Sequence, residues 1–290
     1  MKMNFTFTGA KKIVFGNGSF DALVDYIKEL RGSRPLIVLD QNLAGAGFQE
    51  RIETLLAKGG MKYVIYDKVV PEPPLELVDE GAKAAVKGKC DCVAGIGGGS
   101  AMDTAKAIAA VAGNRGKAVD YLGLNNVPGP GLPQIQIPTT AGTGSEVTFT
   151  AVFIRKNLNK KEGMNSPYLY PDIALCDPTL TVTLPPQPTA ETGIDALCHA
   201  IESYTSVNSS PMSEVFSLEA IRLISENLRT CVHNGSDLQA REQMLLGSLY
   251  AGLGLANAGV TAVHSLSYPL GGRYGVPHGL ANTLILPAVM

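Results

Sequence analysis

Short apolar runs alternate with helical patterns through the first part of the chain, and this alternation limits the fold more than any other feature. Buried strands are predicted at residues 35–40, 61–67, 90–96, 134–138 and 172–177. Helices are predicted between several of them, through about residue 58 and at residues 75–87 and 101–112. Strands and helices in this order predict a parallel sheet that is covered on both faces. Right-handed crossovers would place the loops after the strands at one edge of that sheet, where ligands bind.

The pattern changes near residue 185. Residues 183–189, TLPPQPT, break the alternation, and the sequence beyond them predicts helices at about 191–206, 213–230 and 238–257, with a less regular segment to the end. We therefore expect an α/β domain over residues 1–186 and an all-α domain over residues 187–290. The final residues, ANTLILPAVM, stop in an apolar segment without a cap, so we expect the helical domain to be truncated at its C-terminus.

Composition excludes several classes of function. The 290 residues carry a net charge of −2 and no basic run, which argues against a nucleic-acid partner. The N-terminus, MKMNFTFTGA, lacks the pattern of a secretory signal, and no run approaches the roughly 20 apolar residues needed to span a bilayer. The five cysteines form no CxxC pair and are odd in number, which favours reduced thiols in a soluble, cytoplasmic protein.

A glycine-rich loop, GIGGGSAMD (95–103), lies between a predicted buried strand and a helix. Gly97, Gly98 and Gly99 would let backbone N–H groups approach a phosphate without a Cβ in the way. The helix that begins near Ser100 would add its free N–H groups and its partial positive charge. The loop matches neither the GxGxxG fingerprint nor the P-loop. It predicts a Rossmann-like pyrophosphate site, and a tight strand-to-helix turn is the alternative.

Two further features point to the same nucleotide. Thr139, Thr140 and Thr143 belong to a polar loop, PTTAGTGSE (138–146), that follows the next predicted strand and offers hydroxyls to phosphate or ribose. A flexible connector is the alternative for that loop. Asp40 ends the first strong strand, where a carboxylate can bind both ribose hydroxyls and would repel a 2′-phosphate. Asp40 therefore favours NAD over NADP, unless it serves only as a turn or helix-capping residue.

The histidines form the third informative pattern. Asp195 and His199 are four residues apart on a predicted helix, which puts both side chains on one face. That spacing alone is typical of a solvated helix face. His264 and His278 lie in glycine-rich surroundings, whereas His233 lies at a predicted helix end and is expected to be an ordinary surface residue. One aspartate and three imidazoles suit a divalent transition ion with open positions, and no GxSxG nucleophile motif competes with this interpretation.

Five stretches of the chain resemble one family. They are GGGSAMDTAKAIA (97–109), IPTTAGTGSEVT (137–148), PDIALCDPTLTVTLPP (171–186), TAETGIDALCHAIESY (189–204) and VHSLSYPLGGRYGVPHG (263–279). The chain is similar over these stretches, and from about residue 5 to its end, to the iron-containing (group III) alcohol dehydrogenases, which include lactaldehyde reductases, 1,3-propanediol dehydrogenases and butanol dehydrogenases. The resemblance implies a dehydroquinate synthase-like fold, with an α/β nucleotide-binding domain followed by a helical metal-binding domain.

The resemblance also implies roles for single residues. The family's metal ligands fall on Asp195, His199, His264 and His278. With Thr143 from the polar loop, the expected cofactor-binding residues are Asp40, Gly97, Gly98, Gly99, Ser100, Asp103, Thr139, Thr140, Thr143, Thr148 and Lys161. Tyr268 stands where many members carry a second histidine, and we count it with the four ligands as catalytic. A tyrosine can donate a hydrogen bond, but its usual pKa of about 10 makes it a poor proton relay near neutrality.

The implied reaction is hydride transfer between a metal-bound primary alcohol or diol, or its aldehyde, and NAD. Fe²⁺ is the expected metal with Zn²⁺ as the alternative, and NADP is the less favoured cofactor. The partners would be a small alcohol or aldehyde and further copies of the chain, because FTFTG (5–9) and KKIVFG (11–16) could pair as strands across a homodimer or higher homo-oligomer. Membranes are not an expected partner.

Two other functions are compatible with the sequence. A dehydroquinate synthase-like lyase would need a basic cluster for its sugar phosphate, and the helical half offers only Arg222, Arg229, Arg241 and Arg273. A truncated, non-catalytic remnant that binds nucleotide and metal is the other alternative.

Overall fold

The computed structural model describes residues 3–45, 47–158 and 160–290. Their backbone forms two compact units. The sheet unit contains the described residues of 10–138 and 149–177. The helical unit contains the described residues through Gly9, together with residues 139–148 and 178–290. The chain therefore leaves the sheet unit for ten residues at 139–148 and then returns to it.

All the described strands belong to the sheet unit. They are β1 (Lys12–Phe15), β2 (Pro35–Asp40), β3 (Val64–Val69), β4 (Cys92–Gly97), β5 (Gly123–Leu124), β6 (Gln134–Pro138), β7 (Thr150–Arg155), β8 (Lys160–Asn165) and β9 (Ile173–Cys176). Six of them form a parallel sheet in the order β1-β9-β6-β4-β2-β3. The central strands β2 and β4 are buried along almost their whole length, as expected for a parallel sheet with both faces covered.

The helices of the sheet unit are α1 (Leu23–Glu29), α2 (Gln41–Gly45), α3 (Phe48–Lys58), α4 (Glu76–Gly88) and α5 (Gly99–Gly113). Short 3₁₀ helices of this unit are Ser19–Ala22, Ala118–Tyr121, Lys156–Leu158 and Pro167–Leu169, whereas Ser145–Val147 and Pro178–Thr181 belong to the helical unit. Helix α5 is the most deeply placed, because small residues along its length pack into a core shared with Tyr66, Val78 and Phe153. These elements confirm the predicted parallel α/β fold.

The helical unit consists mainly of α6 (Pro186–Thr205), α7 (Pro211–His233), α8 (Leu238–Ala258), α9 (Ala262–Tyr274) and α10 (His278–Val289). Helix α7 begins at a capping box in which Ser210 and Ser213 bind each other's backbone N–H groups. The side chain of Asp237 accepts from the N–H of Ala240 and so caps α8. Among the described residues no single helix is long and apolar enough to cross a membrane. Helix α8 and residues Ala262–Gly272 together have the length and apolar composition of a membrane span, but the two helices are bent by 101° at the break between them.

The structure corrects two expectations and adds a sheet that was not predicted. The less regular segment predicted after residue 257 is instead the two helices α9 and α10, although Pro269 and Pro287 lie inside them. The three-stranded sheet β5-β8-β7 was not predicted, because β8, KKEGMN, has no apolar alternation. The N-terminal signal FTFTG is not a strand, and Phe7 stacks on Phe216. The other signal forms β1, which pairs with β9 of the same chain.

Asp91 fixes the turn that leads into β2. Its carboxylate accepts hydrogen bonds from the N–H groups of Ser33 and Arg34, at 2.9 and 2.8 Å, and from the hydroxyl of Ser33. Burial would raise the pKa of Asp91, but the bonds from Ser33 and Arg34 outweigh burial and hold the pKa below its usual value. The ionised carboxylate therefore stabilises the folded state.

Replacing Asp91 with asparagine is expected to lower the free energy of unfolding by about 1–2 kcal/mol near pH 7, because the amide turns a donor towards these N–H groups. The folded pKa is depressed, so this contribution is present above the unfolded value of about 3.9 and is lost as pH falls through the folded value. Urea unfolding of wild type and Asp91→Asn at pH 7 and pH 3 measures this contribution to the free energy of unfolding. Asp67→Asn, at an exposed aspartate, is the control. A difference between wild type and Asp91→Asn that stayed equal at both pH values would contradict this role.

Candidate metal centre and nucleotide-binding loops

Four predicted metal ligands meet in the helical unit. Helix α6 carries Asp195 and His199, α9 carries His264, and α10 begins at His278. The Oδ1 atom of Asp195 lies 3.8 Å from Nε2 of His199, 3.5 Å from Nε2 of His264 and 3.6 Å from Nε2 of His278. Asp195, His199 and His264 are buried and their ligand atoms lie within 4.8 Å of one another. The side chain of His278 is 31% exposed and forms the more open side of the cluster.

This spacing fits a divalent ion. With metal–ligand bonds of about 2.1 Å, two ligand atoms of a tetrahedral site lie roughly 3.4 Å apart. The three distances from Asp195 are 3.8, 3.5 and 3.6 Å, so small movements would bring the ligands to bonding distance of one ion. Nitrogen and carboxylate donors in this combination suit Fe²⁺ or Zn²⁺. The residues present therefore fit the group that the sequence predicted for them.

The charges of the cluster depend on one another. Burial would raise the pKa of Asp195, but the neighbouring imidazoles, His199 first, hold it far below its usual value. Burial lowers the pKa of His199 to about 4, so this ring is neutral at pH 7, as a metal ligand must be. Burial also disfavours charge on His264, but its bonds to Asp195 and Glu202 raise its pKa to about 9.

Backbone and side-chain acceptors orient the histidine rings. Nδ1 of His199 lies 3.3 Å from the carbonyl oxygen of Gly142, and Nδ1 of His264 is hydrogen-bonded to the carboxylate of Glu202. In both residues the bonded Nδ1 leaves Nε2 to face Asp195, and a hydrogen bond at one ring nitrogen of this kind sets which nitrogen binds a metal. Gly142 belongs to residues 139–148, which are part of the helical unit.

The sequence did not single out Asn282, which lies at the centre of the cluster. Its Nδ2 donates to Oδ1 of Asp195 at 2.7 Å and lies 3.2 Å from Nε2 of His264 and 3.4 Å from Nε2 of His278. Its Oδ1 is buried without a hydrogen-bond partner in the described part of the chain. The available signal was its spacing of four residues from His278, which places both on one face of α10.

Tyr268 lies one turn after His264 on α9. Its ring stacks on that of His278, with 6.2 Å between ring centroids, and lies 6.4 Å from the ring of His264. Desolvation raises the pKa of Tyr268, and the carboxylates of Asp195 and Glu202 raise it further. The phenol is therefore a hydrogen-bond donor beside two of the proposed ligands and remains protonated at neutral pH. Its catalytic role stays a prediction.

In the sheet unit, three predicted features lie at the carboxyl ends of neighbouring strands. Asp40 ends β2, Gly97 ends β4, and β6 ends at Pro138, which lies opposite Gly97. The chain runs from β2 to β3 on one side and returns to β4 on the other, so the strand order reverses between β2 and β4. Ligands of open parallel sheets bind outside such a reversal point.

The glycine loop leads into a helix whose N-terminus is not capped by a side chain. Gly98 is the N-cap of α5 and no side chain caps that terminus. Gly97 has a φ of 150°, and a Cβ there would lie 2.7 Å from Cβ of Ala101. Side chains larger than hydrogen are thus excluded where the chain turns from β4 into α5. The N–H groups at this uncapped helix start and the helix dipole suit an anion.

Several predicted cofactor residues have structural partners within the sheet unit. Oδ1 of Asp40 accepts from the N–H groups of Asn42 and Leu43, so Asp40 does cap the turn after β2. Oδ2 of Asp103 accepts from the N–H of Val152, and its Oδ1 lies 3.3 Å from Nζ of the buried Lys106.

Lys161 reaches the glycine loop through a residue that the sequence did not single out. Its Nζ bonds Oε1 of Glu72 at 2.5 Å, and the N–H of Glu72 donates to the hydroxyl of Ser100 at 3.3 Å. Glu72 also has a φ of 51°, which is uncommon outside glycine.

The threonines of the second loop lie in the helical unit. The hydroxyl of Thr143 accepts from the N–H of Ser145 at 3.3 Å, and that of Thr148 donates to the carbonyl of Ser145 at 3.4 Å. Thr139 is buried, and Oγ1 of Thr140 is buried without a partner among the described residues. Their contacts with a cofactor remain predictions.

Comparison with known proteins identifies the family. The profile of the family described as iron-containing alcohol dehydrogenase matches residues 10–178, and the profile of the C-terminal part of the Fe-containing alcohol dehydrogenase family matches residues 189–290. Long-chain-alcohol dehydrogenase 1 of Geobacillus thermodenitrificans (strain NG80-2) is 47% identical over 278 residues, which cover 95% of this chain and 70% of that protein.

Solved structures agree with these matches. The crystal structure of a 1,3-propanediol oxidoreductase superposes with a TM-score of 0.95 at 35% identity, covering 99% of this chain and 75% of that one. Sulfoacetaldehyde reductase from Bifidobacterium kashiwanohense, solved in complex with NAD⁺, superposes with a TM-score of 0.92 at 32% identity, covering 99% and 76%. The chain belongs to the iron-containing alcohol dehydrogenase family, a family of oxidoreductases.

Proposed function

We propose that this chain transfers a hydride between a primary alcohol or diol, or the corresponding aldehyde, and NAD. The convergence of three imidazole Nε2 atoms on one oxygen of Asp195, at 3.5–3.8 Å, is the observation that carries the proposal. Asp195, His199, His264 and His278 would hold the divalent metal. Bound there, the metal would supply Lewis acidity towards the substrate oxygen, and NAD would accept or donate the hydride.

The protein's own residues prepare this site. The carbonyl of Gly142 and the carboxylate of Glu202 hold the rings of His199 and His264 with Nε2 towards Asp195. Tyr268, whose ring stacks on that of His278, would donate a hydrogen bond to a substrate oxygen. In the sheet unit, the start of α5 would bind the pyrophosphate, with Asp40 on the adjacent strand for the ribose hydroxyls.

The names of related proteins support an alcohol or aldehyde as substrate. The relatives include a long-chain-alcohol dehydrogenase, an NAD-dependent methanol dehydrogenase of Bacillus methanolicus and a lactaldehyde reductase of Escherichia coli (strain K12). These favour an oxidoreductase over the dehydroquinate synthase-like lyase. In the helical unit the side chain of Arg222 pairs with Glu219 and Glu226, and that of Arg241 binds Thr189 and Leu184, so neither belongs to a phosphate-binding cluster.

Anaerobic reconstitution tests the proposal. The purified chain is loaded with Fe²⁺ or with Zn²⁺ and assayed against short alcohols and diols, with NAD and NADP in parallel. Alcohol-dependent NADH formation that requires the metal is expected, with Fe²⁺ more active than Zn²⁺. Binding of both metal and NADH without turnover would instead identify a non-catalytic remnant, and absence of metal binding would refute the metal centre.

We also propose a cytoplasmic location and a homodimer or higher homo-oligomer. None of the five cysteines, all of which lie in the described part of the chain, forms a disulfide, which accords with a reducing compartment. The edge position of β1 in the large sheet leaves a strand that a second copy could extend. Analytical ultracentrifugation of the purified protein gives the oligomeric state.

Replacing Asp40 with alanine is expected to raise the ratio of kcat/KM for NADP to that for NAD by about tenfold or more, equivalent to about 1.4 kcal/mol. The carboxylate would no longer repel a 2′-phosphate or bind the ribose hydroxyls. Because Asp40 also caps the turn at Asn42, a variant at another strand-end aspartate, Asp177→Ala, controls for lost backbone hydrogen bonds. An unchanged ratio in Asp40→Ala would remove Asp40 from the cofactor site.

A further inference from the structure

Glu202 lies on α6, three residues after His199, and is 1% exposed. A buried carboxylate is costly unless hydrogen bonds compensate for the lost water. The two oxygens of Glu202 are used for different purposes. Oε2 is bonded to Nδ1 of His264, while Oε1 accepts from the N–H of Thr261 at 2.8 Å, the hydroxyl of Thr261 at 2.9 Å and the N–H of Val263 at 2.9 Å.

The bonds to Oε1 fix the beginning of α9. Thr261 is the N-cap of this helix, and its own side chain makes no capping bond. The first N–H groups of a helix have no partners within the helix, and a negative charge near them is favourable. Glu202 therefore caps α9 from another helix. His264 is the third residue of α9, so the same carboxylate sets the position of its backbone.

The bond to Oε2 fixes the ring of His264. Because Nδ1 is held by Glu202, the ring presents Nε2 to Oδ1 of Asp195 at 3.5 Å. A carboxylate behind a metal-binding histidine usually sets its tautomer and ring orientation, and removing one typically weakens metal binding 10–100-fold. Backbone position and ring orientation of His264 thus depend on a single side chain that is not itself one of the proposed ligands.

We propose that Glu202 is a positioning residue of the metal centre, which holds His264 in the orientation in which Nε2 binds the metal. This inference rests on the proposed metal centre. A purely structural role is the competing explanation, in which Glu202 serves only as the cap of α9. The two roles can be distinguished because Oε1 accepts the capping hydrogen bonds of α9, whereas Oε2 is bonded to His264.

Two variants with Co²⁺ as the probe test the proposal. Glu202→Gln removes the charge but keeps the shape, whereas Thr261→Val removes one capping bond and leaves the contact with His264 intact. Co²⁺ affinity is measured by competition with a chromophoric chelator, and the visible absorption of bound Co²⁺ reports its coordination. Glu202→Gln is expected to bind Co²⁺ 10–100-fold more weakly with an altered spectrum. Thr261→Val is expected to keep the wild-type affinity and spectrum while its melting temperature falls.

Two results would overturn the proposal: wild-type affinity and spectrum in Glu202→Gln, or an equal loss of affinity in Thr261→Val. A wild-type chain that fails to bind Co²⁺ would refute the metal centre itself, which distinguishes the two failures. Should Glu202→Gln not fold, nitrogen-15 NMR of the Zn²⁺-loaded wild-type protein decides. It is expected to show His264 protonated at Nδ1 and coordinated through Nε2, and coordination through Nδ1 would exclude the proposed role.

Discussion

Replacing His264 with alanine is expected to weaken Fe²⁺ or Co²⁺ binding by roughly 10²–10³-fold and to abolish alcohol-dependent NADH formation. Four-ligand zinc sites bind with about 10–16 kcal/mol, so one ligand accounts for roughly a quarter of that. His264 is suited to such a test because its Nε2 faces Asp195 at 3.5 Å from a buried position. Metal content after desalting and steady-state rates measure the two effects.

His233, the histidine outside the proposed ligand set, supplies the control for this variant. His233 is exposed and ends α7, and it has no part in the cluster around Asp195. His233→Ala should therefore keep metal content and turnover at wild-type values. Stoichiometric metal together with full turnover in His264→Ala would show that the convergence of these side chains is not a metal centre.

The second large effect is expected at Gly97. Gly97→Ala should raise the dissociation constant for NADH about tenfold or more and should also lower the melting temperature. The residue has a φ of 150°, and its new Cβ would meet the methyl group of Ala101 at 2.7 Å, where no flexible side chain can yield. Relief would require movement of the first turn of α5, whose N–H groups are the proposed phosphate donors.

Gly16 provides a matched comparison for backbone strain. It has a φ of 153°, almost the same as Gly97, but a Cβ there would have no heavy atom within 4 Å. Gly16→Ala should therefore show the cost of strain alone, with unchanged NADH affinity in fluorescence titration. Equal NADH affinity in the two variants would mean that the loop at Gly97 does not bind the nucleotide.

Much of the fold could be predicted because parallel strands are short, apolar and bounded by breakers. The predicted strands at 35–40 and 134–138 coincide with β2 and β6, and the glycine loop does lie between β4 and α5. The strand β8 was missed because its sequence, KKEGMN, is polar, and it is stabilised by pairing with β7 and by the ion pair of Arg155 with Glu162. Helices α9 and α10 were missed because internal prolines oppose helix formation locally, which packing in the helical unit overrides.

In the candidate site, too, some residues could be predicted from the sequence and others could not. The grouping of Asp195 with His199, His264 and His278 could be predicted because histidine is rare in this chain and the family stretches contain all four residues. Glu202 and Asn282 could not be predicted, because a glutamate and an asparagine on helices are usually solvated. Their roles follow from contacts across 62 and 87 residues of sequence, which only the folded chain reveals.

A fragment that begins at residue 178 would contain all four proposed ligands but would lack the acceptor of His199. The carbonyl oxygen of Gly142 lies 3.3 Å from Nδ1 of that ring. Gly142 belongs to residues 139–148, which are part of the helical unit although the residues on both sides of them in sequence belong to the sheet unit. Without it, the ring of His199 would be free to exchange tautomers. Recombination between relatives at a junction near 178 would therefore separate a ligand from its support. Chimeras that inherit residues 139–148 and 178–290 from the same parent should keep the proposed metal centre. Chimeras that take the two segments from different parents should keep it only if both parents have the same loop at 139–148.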